Sequence, residues 1–182
     1  LPILMMSCAP LWGFLEVTLV LPRDERDVRA LVRFAALTSL AFSLVLLAMA
    51  ATPLRTLLLD GAFALGPHLR AAVVPALALL ALEPLVLSAR AIAQGLLLRG
   101  GHGALVLALS PVKLLVMAVA GFAVARAWPQ ANGAVVAIGL IVGGDLVDVA
   151  LYGIATWRTA SHRLHAAEAP AENPAEPHLE AA

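Results

Sequence analysis

Phe34-Ala35-Ala36-Leu37-Thr38-Ser39-Leu40-Ala41-Phe42-Ser43-Leu44-Val45-Leu46-Leu47-Ala48-Met49-Ala50-Ala51 carries no charged side chain over its whole length. A helix rises about 1.5 Å per residue, so this run extends about 27 Å, close to the ~30 Å hydrocarbon core of a bilayer. It shows no alternation of the kind that a membrane β-barrel requires. A spanning helix satisfies every backbone polar group within itself, and that is the reading this stretch dictates.

Four further runs resemble it. They lie at 1–21, 71–98, 104–127 and 133–157, which gives about five spans in all. Hydrophobic residues make up 62% of the chain and charged residues 13%, against about 45–50% and about 25% in a soluble domain. A chain of 182 residues folded in water could not hide that much apolar surface. The expected fold class is therefore all-α, a polytopic transmembrane helix bundle over residues 1–158, followed by a disordered cytoplasmic tail over 159–182. The tail is rich in Ala, Glu, Pro and His and has no apolar period. Its histidines, His162, His165 and His178, match no metal-site spacing.

Net charge is zero, so nothing marks a nucleic-acid partner. The single cysteine, Cys8, has no partner for an internal disulfide and no metal-ligand company, and no cofactor motif is present. Residues 1–21 lack a basic leader and a small-residue cleavage site, which argues against a signal peptide. The start Leu1-Pro2-Ile3 is better explained by truncation inside a membrane helix.

The connectors set an orientation. Residues 22–33 hold four arginines, Arg23, Arg26, Arg29 and Arg33, and Asp27 is the expected N-cap of the second helix. With Arg99, Arg158 and Arg163, that side of the membrane carries seven arginines; the other has Arg55, Arg70 and Arg126. The excess of basic residues on one side predicts a cytoplasmic C-terminus. Trp128 and Trp157 fall at span ends, where indole rings favour the headgroup region. The leucines of 52–70 suggest a short interfacial helix, and Gly100-Gly101-His102-Gly103 reads as a tight turn.

Six ionisable residues fall inside spans: Glu16, Glu83, Arg90, Lys113, Asp145 and Asp148. Each costs roughly 2.5–3.5 kcal/mol to insert, so such groups persist where they face a cavity or one another. Glu16 is near the cytoplasmic end of its span and counts for less. Glu83, Arg90 and Gln94 form one narrow stripe on the third helix, which belongs on an inward face. Asp145, Asp148 and Tyr152 share a face of the fifth. Two carboxylates at this spacing in low dielectric cannot both ionise cheaply unless a cation is close. Lys113, with Ser110 and Pro111, predicts a break in the fourth helix. For all of these, two readings stay open: a hydrophilic pathway for substrate and ions, or charges that only pair helices. Gly139 and Gly143 form a G-x-x-x-G with Gly144 beside it, which leaves room for a close neighbour near Asp145.

Gln94-Gly95-Leu96-Leu97-Leu98-Arg99-Gly100-Gly101-His102-Gly103 resembles a helix-to-turn pattern of the multidrug/oligosaccharidyl-lipid/polysaccharide flippase superfamily. The basic connector Arg23–Arg33, the length of the connector around Pro53-Leu54-Arg55, and Gly133-Ala134-Val135-Val136-Ala137 are also similar to it. The resemblance covers roughly residues 1–158. It implies the last five helices of a twelve-helix transporter in the bacterial inner membrane, similar to the multidrug extrusion, polysaccharide-exporter or progressive-ankylosis-like branches. It further implies a preceding half as partner, and alternating access coupled to protons or cations, with a small-molecule or lipid-linked substrate. In that reading Glu83, Arg90, Gln94, Lys113, Asp145 and Asp148 line the pathway and the chain is no enzyme. The alternatives are a membrane-embedded enzyme built on the Asp145/Asp148 pair and a non-transporting scaffold.

Overall fold

The computed structural model describes the backbone at residues 2–53, 61 and 67–168, and side chains at 11–53, 61 and 73–158. Among the described residues there are six helices: α1 Pro2–Val20, α2 Glu25–Ala51, α3 Pro67–Leu80, α4 Glu83–Arg99, α5 Gly103–Ala127 and α6 Gly133–Glu168. α3 and α4 form one interrupted rod, so the described residues make five rods. Four are long and apolar enough to cross a membrane: Glu25–Ala51, Val73–Arg99, Gly103–Ala127 and Gly133–Arg158. The chain is an all-α polytopic membrane bundle.

α4 is its centre, in contact with α1, α2, α5 and α6. Leu11 and Phe14 of α1, Ala35 of α2, and Leu87, Ala91 and Ile92 of α4 form one packed cluster. Leu46 and Ala50 of α2 meet Leu77 and Leu80 of α3 and neighbouring Ala81 in a second. Leu97, Val106 and Tyr152 join α4, α5 and α6 in a third. Lipid is as apolar as leucine, so these contacts hold through close packing and polar links rather than through exclusion from water. Gly95 allows one such approach: a Cβ there would lie 2.7 Å from Thr18 Cβ. Ser39 supplies a link, its hydroxyl donating to Ser88 Oγ at 2.6 Å between α2 and α4. Nothing in the uncharged run 34–51 flagged that bond, although Ser39 and Ser43 are on the face opposite Leu37, Leu40 and Leu44.

Several expectations need correction. The N-cap of α2 is Asp24, not Asp27: the Asp24 carboxylate accepts from the Asp27 N–H at 2.8 Å. Asp27 reaches back to accept from the Arg23 N–H, also at 2.8 Å. Asp24 thus serves an orphan donor of the first turn, and Asp27 secures the chain just before the cap. The third span is not continuous. Pro84 has no N–H to offer Leu80, and the bonds just before it tighten, with Leu82 N donating to Leu79 O at 3.1 Å. The helix restarts at Glu83. Around Pro111, by contrast, α5 runs on unbroken. The Ser110 hydroxyl donates to Val106 O at 3.1 Å and adds a hydrogen bond at that turn. At the far end α6 continues through Glu168, so residues 159–168 of the expected tail have helical backbone. The remainder of the tail, and most of the segment expected to form an interfacial helix at 52–70, lie outside the described residues.

The turn at Gly100–His102 forms as expected. Gly101 has φ +81°, His102 N donates to Leu97 O and Gly101 N to Leu98 O, each at 3.0 Å. This is the paired closure that a left-handed residue gives a helix C-terminus.

Candidate functional site

The five mid-span charges converge. Glu83 and Arg90 come from α4, Lys113 from α5, and Asp145 and Asp148 from α6. The Arg90 guanidinium donates from Nη1 to Asp145 Oδ1 at 2.8 Å, and its Nε lies 3.0 Å from Asp148 Oδ2. That second contact is close enough for an ion pair but is not aligned as a hydrogen bond. The Lys113 ammonium contacts the same two acceptors, Asp145 Oδ1 and, at 3.1 Å, Asp148 Oδ2. Each cation therefore bridges both aspartates. Glu83 adjoins the group and interacts with Asp145, Lys113 and Arg90.

Local sequence explains the arrangement. Asp145 and Asp148 are three residues apart, so both project from the inward face of α6. Tyr152, one turn on, is also buried. Arg90 is two turns past Glu83 on the same stripe. Lys113 can reach across because Gly144 has no side chain: a Cβ there would meet Met117 Sδ at 2.6 Å and Lys113 Cε at 3.0 Å. Of the three glycines expected to leave room near Asp145, Gly144 does so and a Cβ at Gly139 would lie 3.6 Å from Leu79 Cδ2, whereas a Cβ at Gly143 would meet nothing within 4 Å.

The carboxylates are nearly sealed, with Glu83, Asp145 and Asp148 at 3%, 4% and 2% exposure. Three carboxylates against two cations leave one net negative charge when all five are ionised. A pair of charges 4 Å apart interacts at about 4 kcal/mol at an effective dielectric constant of 20, so that imbalance is costly in lipid. Two carboxylate oxygens of the cluster have no hydrogen-bond partner among the described residues, Glu83 Oε2 and Asp148 Oδ1. Buried acceptors are almost always satisfied, so such atoms mark where a proton, ion or ligand group would find a place.

Arg90 also faces outward. With Gln94, Leu87 and Ala91 of α4 and Trp12 and Leu15 of α1, it lines an open pocket of about 350 Å³. Sequence reasoning missed Trp12, which has no charge to mark it, and Pro84, which places Glu83 at a helix break. Of the anticipated pathway residues, Glu83, Arg90, Lys113, Asp145 and Asp148 form the cluster, and Gln94 joins Arg90 in the pocket wall. Glu16 is exposed and takes no part in the cluster. Among the described residues no group of three or more His, Cys, Asp or Glu side chains is arranged to hold a metal ion.

No family model, no curated protein and no solved structure matches this chain. The reading of its function rests on its own geometry.

Proposed function

We propose that the chain belongs to a membrane transporter working by alternating access, with its coupling site at Glu83 and the Arg90–Asp145–Lys113–Asp148 cluster. One observation carries the reading: a buried cluster of three carboxylates and two cations within apolar helices shares Arg90 with a pocket open to the outside of the bundle. Intramembrane charges bridged in pairs tie three helices together, and a bound proton or cation would change how tightly they are tied. The break before Glu83 adds a second feature of transport proteins, a discontinuous helix whose end meets the ion site.

In this reading Asp145 and Asp148 are held by Arg90 and Lys113, and Glu83 Oε2 and Asp148 Oδ1 receive the coupling proton or cation. The substrate enters by the pocket of Trp12, Arg90 and Gln94. The proposal extends to the superfamily resemblance: five helices of a twelve-helix flippase-type transporter, paired with another half, with no chemical step of its own. The excess of arginine at one end supports a cytoplasmic C-terminus; the bacterial inner membrane belongs to the proposal.

Cysteine accessibility tests this without knowledge of the substrate. Gln94→Cys in a Cys8→Ser background, in sealed vesicles, should react with a membrane-impermeant maleimide from either side, in proportions that shift between pH 5 and pH 8. Asp145→Asn/Asp148→Asn should insert normally but lose the pH response. Labelling from a single side, unchanged by pH and by the double substitution, would instead mark a fixed scaffold whose charges only pair helices.

A further inference from the structure

A second charged feature stands apart from the cluster. Arg26, Arg29 and Arg33, with Ala30, line a cleft of about 350 Å³ on the first turns of α2. The spacing of three and seven residues puts all three guanidinium groups on one side of the helix. All three are exposed, and among the described residues none makes an ion pair. Of the nearby acids, Asp24 and Asp27 are tied into the helix cap, and Glu25, one turn before Arg29 and about 40° from it around the axis, makes no ion pair with it among the described residues.

The rest of α2 fixes the direction of this arginine face. Continuing the same heptad spacing along the helix leads to Leu37, Leu40, Leu44 and Leu47, all exposed. The buried residues, Ala35, Ser39, Ser43, Leu46 and Ala50, occupy the opposite side. The arginines therefore stand directly above the lipid-facing stripe. They lie within about two turns before the start of the uncharged run at Phe34, the stretch of a spanning helix that meets the headgroup phosphates. Guanidinium forks bind phosphate oxygens in pairs, and three arginines against one neighbouring carboxylate, Glu25, leave a net positive face that favours a headgroup with net negative charge over a zwitterionic one.

We propose that this face of α2 is a binding site for an anionic phospholipid, its phosphate held between Arg26, Arg29 and Arg33 and its acyl chains along Leu37, Leu40 and Leu44. The site is independent of the transport reading and stands or falls without it.

The test compares lipids retained by the purified chain, by native mass spectrometry, after exchange into mixed micelles of phosphatidylglycerol and phosphatidylcholine. Each arginine near an anionic surface contributes about fivefold in affinity, so the preference for phosphatidylglycerol should be on the order of 100-fold. Arg26→Gln/Arg29→Gln/Arg33→Gln should abolish it, and the charge-keeping Arg26→Lys/Arg29→Lys/Arg33→Lys should retain most of it. Millimolar inorganic phosphate should fail to displace the lipid. Equal retention of the two lipids by the unaltered chain, a preference that survives in the glutamine variant or is lost in the lysine variant, or displacement by inorganic phosphate would each overturn the proposal.

Discussion

Lys113 is the residue on which the buried cluster depends most. It reaches both aspartates from a helix that is otherwise almost wholly turned to lipid, with Val106 its one fully buried residue. Removing one member of a buried ion pair leaves the others uncompensated, at a cost of about 3–5 kcal/mol. Lys113→Met should therefore lower the unfolding temperature of the chain in detergent sharply. Lys113→Met/Asp148→Asn removes one charge of each sign and should recover part of the loss. A double variant no more stable than Lys113→Met alone would show that the two do not act as a pair. The sequence placed all five charges inside spans and put two of the groupings on common faces. It could not tell which acid meets which base. That choice depends on the rotation of three helices about their axes, which the position of a residue along one chain does not set.

At the scale of the helices, two glycines matter for opposite reasons. Gly101 holds a backbone angle that costs other residues roughly 1–2 kcal/mol, so Gly101→Ala should destabilise the α4–α5 turn by about that amount in thermal unfolding. Gly95 has ordinary helical geometry but almost no space, with Thr18 of α1 against it. Gly95→Val should push α1 away from α4, and a disulfide cross-link engineered between those helices should form less readily. The first effect was legible in the Gly-Gly-His-Gly turn. The second was not, because one glycine in an alanine-rich helix looks like any other until its neighbour is known. Proline behaved the same way. Pro84 follows a break in its helix and Pro111 sits inside an unbroken one.

For the whole molecule, the alternating direction of successive rods fixes which connectors share a side. The turns at 21–24 and 100–102 lie at one end of the bundle, and 128–132 lies at the other. In a Cys8→Ser background, His102→Cys and Gln130→Cys should label from opposite faces of the membrane in intact cells. Labelling of both from one face would contradict the rod count. The same ends explain the arginine distribution: the basic face of α2 stands at the end shared with Arg99 and Arg158.

Hydropathy alone determined the class of fold, the number of rods and most of their limits, because the bilayer imposes one requirement, the internal satisfaction of every backbone group, and only long apolar helices meet it here. It also determined which residues were too polar to face lipid. The tertiary structure alone decided what those residues do once they turn inward. It bridged Asp145 and Asp148 through both cations, left Glu83 at a helix break with an oxygen unpartnered among the described residues, and opened the Arg90 side of the cluster to a pocket beside Trp12. Those outcomes depend on close approaches such as Gly95 to Thr18 and Gly144 to Lys113. Van der Waals fit between helices decides such approaches, and no period or composition within a single segment records it.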